Sequence, residues 1–280
     1  MFLLRYSIHA MKSALSTRIV IIVGVFLVIV CLGYLVTQSN SIDDFSSIPR
    51  IVPESKNSEP RPIEEKSPSG NASVRTISDL KRWANASSYN PRWSIRARNA
   101  IDKLHTYFQQ RDEKLWESHL VLLDIGSGPL MPSKAFLPPT AKYIPCDLVR
   151  RGDSGCVLDL NLKEGQKGVP NLEGDAPVSL AEVRQKYGKL VHAISMLGVM
   201  EYVVDVPKLF RELRLFNVPL VLRYTTIDNP RFSSIRLRTS FGWLNHLNTS
   251  ELLQTFQEAH FSCWEKCNSL HSNLNVIYPS

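Results

Sequence analysis

Hydrophobic and polar positions follow different rhythms along the 280-residue chain. Residues 19–36 carry neither a charge nor a proline. As a helix rising about 1.5 Å per residue, that run spans about 27 Å, enough for a thin bilayer. Residues 38–75 are the opposite, with nine Ser, five Pro and a single aromatic, Phe45. Such a segment cannot bury enough apolar surface to offset its chain entropy, and predicts a flexible stem. Between 76 and 118, apolar residues return at helical spacing: Trp93, Ala97, Ala100, Ile101, Leu104 and Phe108, with Pro91 near a helix start.

Beyond 118, short apolar runs alternate with helical periodicity. Strands are predicted at 120–124, 142–146, 156–160, 190–196 and 219–224. Helices are predicted at 180–187, 206–215 and 250–259, the last capped near Asn248 or Thr249. Two closing strands, 261–267 and 273–278, flank a short turn. This alternation predicts an α/β fold, a doubly wound and mostly parallel sheet with helices on both faces. The closing pair suggests a hairpin that places one antiparallel strand at the edge.

Charge then sets the orientation. The net charge is +7, of which residues 1–18 hold +3, residues 38–75 hold −1 and residues 76–280 hold +5. Arg5, Lys12 and Arg18 precede the apolar run, and the first charges after it are Asp43 and Asp44. The positive-inside rule therefore predicts a cytosolic tail (1–18), a signal anchor (19–37), a stem (38–75) and a translocated domain (76–280). A cleaved signal peptide is the alternative, but the run is long for one and no clear small-x-small site follows. The expected protein is a type II membrane protein of the Golgi or endoplasmic reticulum with a lumenal domain. If the orientation is reversed, the domain is cytosolic. Asn71, Asn85 and Asn248 begin N-glycosylation acceptor patterns, which matter only in the lumenal reading. The mild basic excess has no long run, so it permits an anionic substrate without pointing to nucleic acid.

Five cysteines are present, Cys31 within the apolar run and Cys146, Cys156, Cys263 and Cys267 beyond it. None has CxxC spacing and no His stands at zinc-finger spacing, so no metal site is predicted. Cys146 and Cys156 fall near the ends of strands expected to be neighbours. They either bridge or remain buried thiols.

The most specific chemistry lies at Val121-Leu-Leu-Asp-Ile-Gly-Ser-Gly-Pro129. An apolar strand runs into Asp124 and then into Gly126-x-Gly128, a turn that lets backbone approach a ligand closely. Asp147 follows Asp124 by 23 residues, after a second apolar run. A glycine turn after strand 1 and an acid ending strand 2 form the frame that grips a nucleoside in doubly wound folds.

These residues, with Asp159 after strand 3, the stretch from Ile194 to Tyr202 at the strand 4 exit and the terminal hairpin, resemble a class I S-adenosylmethionine-dependent methyltransferase over about residues 115–280. The resemblance implies a Rossmann-like seven-stranded sheet with S-adenosyl-L-methionine as cofactor. Cofactor contacts fall to Asp124, Gly126, Gly128, Asp147, Asp159 and Met196. Two departures stand out. Leu130, after Pro129, occupies the usual third glycine position. A nicotinamide-dinucleotide fold would also want glycine at 131, where Met131 stands, and Pro132, Pro138 and Pro139 interrupt the turn-into-helix it needs.

Several of these residues have a plainer reading. Asp159 either meets the adenine amine or caps a local turn. Met196 either lines the donor site or packs in the core. Glu201 and His246 are the candidate catalytic residues. Glu201 faces either the cleft or the following helix, and His246 has the pKa range of a general base. His246 closes the run Gly242-Trp-Leu-Asn-His246, placed after strand 5 on the acceptor side of the sheet, with Asn245 expected to position substrate. Arg231, Arg236 and Arg238 either hold an anionic substrate or form a solvated face. The expected function is methyl transfer to an oxygen of a small molecule, a glycan or another secretory-pathway or membrane-proximal substrate. The alternative is a non-catalytic scaffold with a methyltransferase-like fold. Nothing in the sequence sets the oligomeric state.

Overall fold

A computed structural model of the chain describes residues 90–280, apart from 154, 172, 265–266 and 268–273. The expected tail, anchor, stem and first helical residues therefore lie outside the described residues. Among the described residues, no helix is long and apolar enough to cross a membrane.

The chain opens with α1 (Arg92–Arg111) and α2 (Glu113–Ser118). The expected single helical region breaks at Asp112, whose backbone is extended (φ −162°) and whose carboxylate caps α2 by accepting from Leu115 N–H. Then follow β1 (Val121–Ile125), β2 (Lys142–Asp147), β3 (Cys156–Val157), α3 (Leu180–Tyr187) and β4 (Ala193–Leu197). The second half holds α4 (Val206–Arg214), β5 (Leu220–Arg223), α5 (Ile235–Ser240), α6 (Thr249–Glu258), β6 (Phe261–Cys263) and β7 (Leu274–Pro279).

The strands form one sheet in the order β3-β2-β1-β4-β5-β7-β6. All pairings are parallel except those of β7, which lies antiparallel between β5 and β6. This is the seven-stranded, mostly parallel Rossmann-like sheet that the sequence implies. The hairpin folds back so that its last strand, not its first, meets β5. Strand 3 is much shorter than expected. Asp159 lies beyond it, in a turn where its carboxylate accepts Asn161 N–H at 3.0 Å.

Alternation along the strands divides the interior in two. Leu123, Ile125, Ile194, Met196, Leu220, Leu222 and Ile277 point into one core, covered by α3, α4 and α6. Leu122, Ala193, Val221 and Val276 point the other way, against Ala100, Ile101, Leu104 and Phe108 of α1 and Trp116 of α2. β1 is buried at every position, as a central parallel strand covered on both sides must be. Capping boxes start two covering helices, Ser179 with Glu182 on α3 and Asn248 with Glu251 on α6. Asn248, one of the three glycosylation matches, is thus engaged in a helix cap.

Cys146 and Cys156 are register partners on β2 and β3 and form a disulfide with Cα atoms 4.6 Å apart. A second disulfide, which the sequence did not suggest, joins Cys263 and Cys267.

Candidate functional site

Strand order reverses between β1 and β4, and the crevice beyond their carboxyl ends is the ligand-binding position of such sheets. Gly126 and Gly128 both adopt left-handed backbone there (φ +71°). A β-carbon on Gly126 would overlap the side chain of Val199, just past the β4 exit, whereas one on Gly128 would meet nothing within 4 Å. Gly126 thus closes the base of the crevice and Gly128 leaves its floor open.

Asp147, at the end of β2, accepts Gly128 N–H through Oδ2 at 3.1 Å and Leu148 N–H through Oδ1 at 2.7 Å. The Arg151 guanidinium donates to Oδ2 at 3.1 Å. Burial raises the Asp147 carboxyl, and Arg151 opposes that most strongly. The two landmarks of the sequence frame, glycine turn and acid, are therefore hydrogen-bonded to each other. Asp124 stands one layer beneath. It is buried and accepts the Tyr143 hydroxyl at 2.6 Å. Burial pushes its carboxyl up to about 6, opposed first by Tyr143 and then by the nearby Ser195 and Ser133 hydroxyls. The Asp124 carboxylate is thus engaged by the protein's own hydroxyls.

After the glycines the chain does not enter an α-helix. Met131 takes left-handed backbone (φ 45°), and residues Pro132–Phe136 make a 3-10 helix. The prolines explain this, since proline starts a helix well but cannot continue one. A pyrophosphate would have no helix N-terminus to rest on.

The other wall is the β4 exit. Gly198 is left-handed (φ +76°), and Met200–Tyr202 form a 3-10 turn. The loop at 242–246 is clamped onto that turn. Leu244 N–H donates to the Glu201 carbonyl at 2.7 Å, and Asn245 Nδ2 donates to the carbonyls of Met200 (2.7 Å) and Val203 (2.9 Å). Asn245 Oδ1 accepts the Tyr224 hydroxyl at 2.7 Å. With every polar atom of its amide engaged inside the protein, Asn245 fastens the loop and does not position a substrate.

Arg238, far from lying on a solvated face, is wholly buried. It donates to His246 Nδ1 (3.1 Å), Thr225 O (2.8 Å), Tyr224 Oη (3.0 Å) and Asn245 O (3.3 Å), and its guanidinium lies 4.7 Å from the Trp243 ring centre. Because an arginine only donates, His246 Nδ1 must be the accepting nitrogen and Nε2 carries the hydrogen. Burial and then Arg238 lower the His246 pKa. The lone pair a general base would use is thus turned toward Arg238.

Glu201 is buried, with Oε1 accepting Thr225 N–H at 3.1 Å and Oε2 without a hydrogen-bond partner. Burial raises its carboxyl, against the pull of two backbone hydrogen bonds, Arg96 and Arg238. Met196 is fully enclosed in the α3/α4/α6 core, the packing role of the two expected for it. Among the described residues no group of acidic, His or Cys side chains is arranged to hold a metal.

Sequence reasoning missed Tyr143, Arg151, Arg96 and Arg223. Tyr143 had a faint signal, a polar-tipped aromatic in a predicted buried strand. Arg96 had none, because helical periodicity does not say what the end of a long side chain reaches.

No family model and no curated protein matches the chain. Among solved structures it is similar to a 1,6-didemethyltoxoflavin N1-methyltransferase of Burkholderia thailandensis with bound 1,6-didemethyltoxoflavin and S-adenosylhomocysteine. That match has 13% identity, 73% of this chain and 87% of that one covered, and a TM-score of 0.42. It is also similar to a magnesium protoporphyrin IX methyltransferase of Synechocystis with bound S-adenosylhomocysteine, at 14% identity, 72% and 93% coverage and a TM-score of 0.40.

Two outcomes follow from this geometry. Asn245→Ala should lower unfolding stability by about 1–3 kcal/mol, as expected when buried carbonyls lose their donor. Denaturant titration checks this, and unchanged stability would return Asn245 to the substrate. Asp124 should leave a mark on pH dependence. Its folded carboxyl keeps a proton that the unfolded chain releases near pH 4, so its contribution to stability falls as pH rises from about 4 to 6. The stability of the wild type relative to Asp124→Asn should drop by about 2–3 kcal/mol across that window. A flat difference would mean that Asp124 titrates as an ordinary carboxylate.

Proposed function

We propose that this chain transfers a methyl group from S-adenosyl-L-methionine to an oxygen of a small-molecule, glycan or other membrane-proximal acceptor. The observation that carries this reading is the clasp at the switch point, where the Asp147 carboxylate is hydrogen-bonded to Gly128 N–H across an open glycine floor. A carboxylate in that place accepts ribose hydroxyls. It has about four acceptor positions, of which three are in use here. Asp147 would hold a ribose diol through the acceptor position that remains. The missing helix N-terminus favours a nucleoside without phosphates over a dinucleotide.

When bound, the cofactor supplies an electrophilic methyl group whose leaving group is a neutral thioether. The protein aligns the acceptor and receives its proton. Glu201 is the better-suited proton acceptor. Its Oε2 has no competing donor and its carboxyl is raised, while His246 has its basic nitrogen engaged by Arg238. The scaffold alternative would not need to preserve the Gly128–Asp147 clasp.

The domain is read as lumenal, anchored by residues 19–37. The two disulfides support that reading, since disulfides persist in oxidising compartments.

The full-length protein in detergent should bind S-adenosylhomocysteine by calorimetry, and Asp147→Ala should weaken binding by roughly 1.5–3 kcal/mol. Glu201→Gln should instead suppress transfer of labelled methyl to an extract while leaving that affinity nearly intact. A wild type that ignores the cofactor at millimolar concentration would sink the assignment. In sealed microsomes the C-terminal domain should resist added protease. Its digestion in intact vesicles would move the enzyme to the cytosolic face.

A further inference from the structure

Methyl transfer leaves one pair of charges at the site without a task. Arg96 and Arg223 converge on the carboxyl ends of β4 and β5. Arg96 reaches down from α1, and its Nη1 lies 2.6 Å from where a β-carbon on Gly198 would be. Gly198 N–H donates to the Arg223 carbonyl at 3.1 Å, and Arg223 is the register partner of Leu197. Arg223 follows Val221 by two residues, so its side chain leaves the sheet on the face that α1 covers. The two guanidiniums thus share one corner of the β4 exit.

The charges there do not balance. Arg238 donates only to neutral acceptors. Among the described residues Glu201 is the one carboxylate acting on Arg96 and Arg223, and its Oε1 is held by a backbone N–H. Arg96 Nε is buried and has no hydrogen-bond partner. Burial and then Arg223 lower the Arg96 guanidinium to about 10, which still leaves it charged at neutral pH. Burial lowers Arg223 as well. Two neighbouring guanidiniums that share their one anion with the buried Arg238 are destabilising unless a further anion arrives. Planar donor forks suit an oxyanion best, because both N–H groups of one edge can point at two oxygens.

We propose that Arg96 and Arg223 bind an oxyanion carried by the methyl acceptor, a carboxylate, sulfate or phosphate group, and so hold its nucleophile at the β4 exit beside Glu201. This rests on the methyltransferase reading and names the substrate class: an acidic molecule. The donor's own carboxylate is the other source of such a group. The acceptor is favoured because the nucleoside clasp lies at β1 and β2, while these arginines stand at β4 and β5, across the switch point.

The test uses the full-length protein in detergent. S-adenosylhomocysteine affinity is measured first by calorimetry. The complex is then titrated with benzoate, its neutral isostere benzamide, sulfate and phosphate, followed by thermal shift. At least one oxyanion should raise the melting temperature where benzamide does not. Arg96→Gln and Arg223→Gln should each weaken that oxyanion by about tenfold or more, with S-adenosylhomocysteine affinity changed less than about twofold. Should Arg96→Gln fail to fold, Arg223→Gln, at a half-buried strand end, carries the test. No response to any oxyanion, an equal response to benzamide, or a response surviving in Arg223→Gln overturns the proposal. A large loss of S-adenosylhomocysteine affinity in either variant assigns the arginines to the donor and also overturns it. A wild type that does not bind S-adenosylhomocysteine fails earlier, at the calorimetric step, and refutes the methyltransferase reading itself.

Discussion

The contact between Gly126 and Val199 sets the geometry of the site. The backbone after β1 must turn in a left-handed conformation while the chain leaving β4 presses against it, and no side chain fits between them. Two neighbouring parallel strands therefore have their exits tied at the base and free to diverge above it. That divergence is the crevice. Gly128 opens its floor, and Asp147 reaches across from β2 to hold the glycine backbone in place. A larger residue at 126 would separate the two exits and displace both walls together.

Charge is distributed across that crevice in a way that makes chemical sense. The carboxylates Asp124 and Asp147 belong to β1 and β2, while Arg96 and Arg223 gather at the ends of β4 and β5. A sulfonium nucleoside is cationic and its ribose hydroxyls are donors, so the acidic side suits it. The basic side has an excess that one buried carboxylate cannot offset, and an acidic acceptor would complete it. Glu201 sits within that basic group. Burial raises its carboxyl, and two backbone hydrogen bonds and the neighbouring guanidiniums of Arg96 and Arg238 oppose that rise.

The loop at 242–246 shows how residue type can mislead. An amide, an imidazole and a large aromatic in five positions read as a substrate loop. Instead, Asn245 fastens the loop to the 3-10 turn at 200–202, and Trp243 stacks near Arg238. Arg238 engages the basic nitrogen of His246. The loop packs against the turn at the β4 exit, and its polar groups hold the two together.

Patterns local in sequence were legible from the chain alone. The alternating apolar runs located β1, β2, β4 and β5 to within a few residues, because a strand covered on both faces must be apolar throughout. Gly126, Gly128 and Asp147 were legible as a tight turn and a strand-end acid, since few residues other than glycine take that left-handed backbone; that the acid accepts the glycine N–H was not. Strand 3 was overestimated because two ladder residues and a capped turn share the same apolar composition. Only the tertiary structure could decide which long side chains meet. Arg96 comes from a helix that precedes the whole sheet, and it reaches Gly198 because α1 lies over the face that β5 turns toward it. The depth of Asp124, the choice of nitrogen on His246 and the pairing of Cys263 with Cys267 likewise depend on through-space neighbours. Periodicity reports which face of an element is buried. It carries no record of what the other elements place against that face.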